Sequence, residues 1–369
     1  FPVVFIMFVN VRCPDTFVNC EHAGATAKIH IAGLFVWILT MSLLARCLAL
    51  CLLFVVAACS DDVRQRKGMV ATANTHASDA AAAILAKGGS ATDAAITAQL
   101  VLTLTEPQSS GIGGGLFMLH YAVNDASITT FDGREKAPLD ADETLFLKPD
   151  GKPLAWPDAA LGGKPVGTPG VISALWEAHQ KFGRLEWASL FEPAIRLAEQ
   201  GFAVSPRLHA AIADANHLDT DDAAAAIYFL GDGDYGEPDV AVPVGHILKN
   251  QPYADTLKLI AANGPDGFYT GPVAQAMVDA VRSNEVNPGL MTLADLSAYE
   301  AIEREPVCAP YRVYRVCGMG PPTSGGLTSL MILGLLEPYQ LPSLDPGGLV
   351  AAHLFAQASR LAFADRNQY

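Results

Sequence analysis

Apolar and polar positions change rhythm several times along the chain, and each change marks an element. Residues 69–74, MVATAN, form a short apolar run that suits a strand. HASDAAAAILAKGG, residues 76–89, has the alanine-rich pattern of a helix that ends at Gly88-Gly89, where glycine tolerates the left-handed closing residue. SATDAAITAQLVLTLTEP, residues 90–107, is a second helix, with Ser90 as its cap and Pro107 as its stop. A glycine cluster, SSGIGGG (109–115), leads into two strand-like runs, LFMLHYA and SITTFDG, which flank the turn VNDA.

A loop-rich section then runs to VGTPG (166–170), and three amphipathic helical patterns follow from Val171 to about Ala215. DTDDAAAAIYFLGDGDYGEP (219–238) reads as a short helix and an exposed acidic loop. Calcium is a possible ligand for that loop, although the EF-hand register is not met. Further helical patterns occupy residues 253–283. The chain ends with REPVCAPYRVYRVCGMG, an apolar helix opened by PPTSGG, and a helix over AAHLFAQASRLAFADRNQY. No repeat is evident. The alternation predicts an α/β or α+β domain with helices layered on strands.

Composition narrows the possible functions. Half of the 369 residues are hydrophobic (51%), so the chain has material for a core. The net charge of −14 excludes nucleic acid or an anionic membrane surface as the main partner, since both call for clustered Lys and Arg. No Cys/His spacing resembles a zinc site, so no metal or other cofactor is implied.

The first 68 residues have their own logic. Residues 1–40 show neither caps nor periodicity and stay unassigned. MSLLARCLALCLLFVVAAC, residues 41–59, has a cation at Arg46, an apolar run and small residues before Cys59, the layout of a secretory signal peptide. Its end resembles the lipobox of bacterial lipoproteins, which makes Cys59 a lipidation candidate. The alternative is a membrane anchor over roughly residues 31–58, with Arg46 at a costly depth. Either reading implies export to the periplasm or cell envelope. A polar linker over 60–68 precedes the globular region, residues 69–369.

Only Cys308 and Cys317 of the seven cysteines lie beyond Cys59. A hairpin turning at Arg312-Val313 sets them directly opposite each other, at a non-hydrogen-bonded pair whose Cα separation is at the short end of the disulfide range. Pro310 then falls where its missing N–H faces away from the partner strand. A cross-strand disulfide is the expectation in an oxidising compartment, and two unrelated buried thiols are the alternative.

The glycine cluster is not a phosphate loop. No Lys follows Gly115, and the order is helix, loop, strand rather than strand, loop, helix. Neither Ser109 nor Ser110 has the G-x-S-x-G framing of a nucleophile elbow. The remaining role is structural: glycines that allow positive φ and close backbone approach beside a buried strand, or that wall a binding site. Arg134, between Asp132 and Glu135 in TTFDGREKAP, carries the planar fork suited to a carboxylate, although an arginine among acids is often only a surface ion pair.

Five blocks together carry a resemblance: ASDAAAAILAKGGSATDAAITAQLVLTLTEPQSSGIGGGLFML, DGREKAP, GTPG, PPTSGG and FADRNQY. In order and spacing they resemble the γ-glutamyltranspeptidase family over about 300 residues, from Val70 to Tyr369. The resemblance implies an α+β fold, the αββα sandwich of the N-terminal nucleophile hydrolase kind, of which this chain is the large-subunit part. It implies transfer of a γ-glutamyl group from glutathione to water or to amino-acid or peptide acceptors, by a precursor that cuts itself into large and small subunits. Arg134 matches the arginine expected to hold the substrate's α-carboxylate, and Glu135 is its expected support. GMGPPTSGG departs from the usual M-P-P-P-S-S-G-G at Gly320 and Thr323, as variation in a structural loop. The nucleophile implied is a threonine of the small subunit, downstream of the residue matching Tyr369. No catalytic residue is therefore assigned here, and the chain by itself is expected to be inactive. Two rivals share the pattern: a cephalosporin or glutaryl acylase, and a truncated, inactive lipoprotein homologue.

Overall fold

The computed structural model describes residues 68–215, 218–231 and 240–368, and residues from Val70 onward form one compact unit. The expected signal peptide at 41–59, the lipidation candidate Cys59, residues 1–40 and the linker up to residue 67 lie outside the described residues.

Two helices open the fold. Helix α1, Thr75–Ala86, starts at Asn74, whose side chain accepts the His76 N–H at 3.0 Å. Helix α2, Ala91–Thr105, starts with a reciprocal cap: Ser90 Oγ accepts from the Asp93 backbone, and the Asp93 carboxylate accepts the Ser90 N–H at 2.8 Å. The same carboxylate takes the N–H groups of Arg184 (3.0 Å) and Leu185 (3.2 Å), so one buried acid starts a helix and also ties down a distant loop. The expected strand at 69–74 does not form. The segment uses its polar groups locally, with Thr72 donating to the Asn74 carbonyl at 2.7 Å, and serves as the lead-in to α1.

The strands follow as the alternation predicts. Strands β1, Leu116–Ala122, and β2, Ser127–Gly133, pair antiparallel around residues 123–126, with Leu116 opposite Gly133 and Ala122 opposite Ser127. Helix α3, Val171–Phe182, lies between the sheet, where Phe131 meets Ala174 and Ala178, and helix α2. A second core joins helix α4, Glu192–Gln200, and helix α5, Pro206–Ala213, through Ala198, Phe202, Val204, Leu208 and Ile212. Helices α6, Gln251–Asn263, α7, Gly271–Arg282, and α8, Leu293–Ser297, lead back to the sheet, where β3, Ile302–Arg304, pairs antiparallel with β2. The sheet order is therefore β1-β2-β3, with β2 in the centre.

A hairpin and two helices complete the described chain. Strands β4, Val307–Tyr311, and β5, Tyr314–Gly318, turn at Arg312-Val313, with Arg312 at a φ of 55°. Cys308 pairs with Cys317 across the ladder and the two sulfurs are bonded, with the Cα atoms 4.1 Å apart. Helix α9, Gly325–Leu336, packs against this hairpin and against helix α10, Leu349–Gln368. Arg366 of α10 donates to Ser324 Oγ at 2.9 Å, so PPTSGG and FADRNQY meet at the two ends of this module.

Candidate active site

Strand β2 is the most buried of the three, and its end delivers Arg134 from a fixed backbone. Asp132, 5% exposed, accepts the Arg134 N–H at 3.0 Å through one oxygen and the Arg304 Nε–H at 2.7 Å through the other. Its partner Arg304 comes from β3, so the acid is held by the neighbouring strand. Tyr299 donates its hydroxyl to the Arg134 carbonyl at 2.7 Å, and its ring stacks on Tyr269 with centroids 5.8 Å apart. Burial, with the nearby charges of Asp132 and Glu135, pushes the Tyr299 phenol above its ordinary value, so it stays a donor. Tyr269 in turn donates to the Pro169 carbonyl at 2.9 Å, inside the GTPG block.

The side chain of Arg134 is 42% exposed, and its Nε lies 3.1 Å from a Glu135 carboxylate oxygen. Of its two acidic neighbours in sequence, Glu135 takes the guanidinium and Asp132 takes the backbone. Glu135 lies against the glycine cluster. A Cβ on Gly115 would lie 2.5 Å from a Glu135 carboxylate oxygen and 2.8 Å from the Gly133 carbonyl, so only glycine fits. The Gly114 carbonyl accepts the Gly170 N–H at 2.9 Å, which joins the cluster to GTPG. Gly170 itself abuts Gly133 and the Tyr299 hydroxyl, leaving no room for a side chain. Lys136 and Thr168 form a bridge that closes the same junction.

Three separate stretches of sequence, 109–115, 132–136 and 167–170, thus converge on one point. The expectation of positive φ in the cluster is not met. Left-handed glycines occur at Gly88, Gly201 and elsewhere, but at none of Gly111–Gly115. These glycines serve close packing against Glu135 and Gly133, not an unusual turn. The gathered groups are a guanidinium, carboxylates, a buried phenol and backbone. This is chemistry for holding a carboxylate, not for attacking a carbonyl.

Sequence reasoning missed Arg304, Tyr299 and Tyr269. They lie more than 130 residues from Asp132 along the chain, and no periodicity links them to it. Among the described residues, no group of three or more His, Cys, Asp or Glu side chains is arranged to hold a metal ion. Residues 232–239 of the acidic loop lie outside the described part. No helix among the described residues is long and apolar enough to cross a membrane.

Comparison with known proteins supplies the context for this geometry. The gamma-glutamyltranspeptidase family model matches residues 77–369. The chain is 36% identical over 304 residues to the glutathione hydrolase proenzyme of Bacillus subtilis strain 168, covering 82% of this chain and 50% of that protein. It is 39% identical over 307 residues to the acylase ACY 1 proenzyme of Pseudomonas sp. strain SE83, covering 81% of this chain and 53% of that protein. The crystal structure of Helicobacter pylori γ-glutamyltranspeptidase superposes with a TM-score of 0.76 at 31% identity, covering 82% of this chain and 84% of that one. The chain spans about half the length of the curated relatives it matches. It belongs to the γ-glutamyltranspeptidase family, whose members are hydrolases of the N-terminal nucleophile kind.

Proposed function

We propose that this chain is the large-subunit part of a precursor that cleaves the γ-glutamyl amide of glutathione and passes the acyl group to water or to amino acids. Arg134 grips the substrate's α-carboxylate, Glu135 aims the guanidinium, and a small subunit supplies the nucleophilic threonine, whose own amine acts as base. The observation that carries this reading is the convergence of DGREK, the glycine cluster and GTPG around a half-exposed arginine. Its backbone is pinned on both sides by Asp132 and Tyr299. A fork fixed in this way loses little freedom on binding, which favours bidentate capture.

The test uses the chain joined to the small-subunit segment of its precursor. Glutamate release from glutathione is expected, and Arg134→Ala is expected to raise KM about a hundredfold, the loss of a charge-assisted bidentate contact. The 369-residue chain alone is expected to release none. Release of glutamate by that chain alone, abolished by the Arg134 substitution, would overturn the division of roles.

The 39% identity to an acylase favours a second reading, a glutaryl or cephalosporin acylase on the same scaffold. Arg134 serves a glutaryl carboxylate equally well, so the groups that hold the α-amine discriminate. Faster cleavage of glutaryl than of γ-glutamyl amides would establish the acylase. We also read the protein as exported and lipid-anchored through Cys59. Loss of a lipid adduct from the mature N-terminus in Cys59→Ala, seen by mass spectrometry, checks this, and an unmodified Cys59 in the wild type would refute it.

A further inference from the structure

A second arginine stands at the other end of the glycine cluster, held by a buried acid that the proposed chemistry does not use. Glu106 closes helix α2 and is 3% exposed. One carboxylate oxygen accepts the Asn74 amide at 2.9 Å. The other accepts the Gln108 amide at 2.7 Å and lies 3.2 Å from Arg207 Nε. Its backbone carbonyl accepts the Ser109 N–H at 2.9 Å. A carboxylate surrounded by donors in this way is a fixed anchor, and what it fixes is Arg207 and the start of the loop.

Arg207 is itself 60% exposed. It occupies the first turn of α5, where the helix dipole disfavours a cation, so its placement does not serve helix stability. Its inner edge faces Glu106, and one terminal nitrogen donates to Ser109 Oγ at 3.4 Å. Gln99 donates to Ser110 Oγ at 2.8 Å. Both serine oxygens are accepting, so each hydroxyl keeps its own proton for donation outward. The corner therefore presents guanidinium N–H groups and two O–H donors beside the positive end of a helix, a set of groups complementary to an anion.

We propose that Arg207, with Ser109 and Ser110, binds a second carboxylate: the C-terminal carboxylate of the peptide on the leaving side of the γ-glutamyl amide. This rests on the function proposed above. The reach is compatible. Ser110 and Gly115, which touches Glu135, are five positions apart, a stretch that spans at most roughly 18 Å. The ends of an extended tripeptide lie roughly 10 Å apart. Arg134 would then select the γ-glutamyl end and Arg207 the peptide end, and the glycine cluster would be the floor between them.

The experiment compares two substrates in the processed two-subunit protein: glutathione, and a γ-glutamyl anilide whose leaving group has no carboxylate. Arg207→Ala is expected to raise KM for glutathione about tenfold, the loss of one charged hydrogen bond, with kcat and both anilide constants within about twofold of wild type. Arg207→Lys, which keeps the charge but not the fork, is expected to fall between. Ser109→Ala leaves the Glu106–Arg207 pair in place and is expected to move the glutathione KM in the same direction, so misfolding caused by an orphaned Glu106 cannot mimic the result. Equal changes for both substrates, or no change for either, would overturn the inference while leaving the function standing. A wild-type protein that turns over neither substrate would sink the proposed function, and this inference with it.

Discussion

Helices α2 and α9 are both apolar, and they have opposite fates. Of the fifteen residues of α2, thirteen are buried, including Thr92, Thr97, Thr105 and Asp93. Helix α9, GGLTSLMILGLL, carries even fewer polar groups, yet only Thr328 and Leu336 are buried. Its neighbour α10 exposes Leu349, Val350, Phe355, Leu361 and Phe363. Hydrophobicity makes burial favourable but does not provide the surface that buries it. Helix α2 has α1, α3 and α4 around it. The α9–α10 pair has the hairpin on one side and an apolar surface left over, larger than isolated exposed residues would produce. The two helices thus differ in what packs over them and not in how apolar they are.

The comparison can be broken by mutation. Leu100→Ala removes a fully buried side chain from α2 and is expected to cost about 3 kcal/mol of stability by chemical denaturation. Leu335→Ala in α9, where the leucine is 39% exposed, is expected to cost less than about 1 kcal/mol in the chain alone. Similar losses at the two sites would mean that α9 is covered after all. The same Leu335 substitution in the two-subunit protein should become the more damaging one if the small subunit seats there.

A smaller effect sharpens the contrast from the other side. The Cys308–Cys317 bond closes a short loop in the module whose helices are poorly buried, and cross-links of that span stabilise by about 2.5 kcal/mol at most. Mild reduction, or Cys308→Ala with Cys317→Ala, is expected to raise amide exchange in β4, β5 and α9 while leaving α2 unchanged. Loss of protection in α2 would show that the two regions unfold as one. Titration of the denatured, unreduced protein should meanwhile find no free thiol from these positions.

Much of the fold is legible in the text because its causes are local. Ser90 and Pro107 announce the two ends of α2 by residue type and place. The alternation in LFMLHYA and SITTFDG sets β1 and β2 with their turn, and a hairpin turning at Arg312-Val313 puts Cys308 opposite Cys317, the alternative that the structure takes over two unrelated thiols. MVATAN misleads because a strand needs a neighbour, and pairing is not a property of six residues. At the site, Arg134 and Glu135 stand out by residue type and context. Which acid would take the guanidinium does not, since Asp132 and Glu135 flank it alike until Arg304 claims Asp132.

The amino-acid order by itself determined the helices, the hairpins, the family and the arginine, since caps, periods and motifs act over a few residues. Tertiary structure alone decided that the glycine cluster packs on Glu135, that Tyr299 holds the Arg134 carbonyl, and that Glu106 aims Arg207 at Ser109. Those pairings join residues up to 165 positions apart, and only the folded chain brings their donors and acceptors within hydrogen-bond distance.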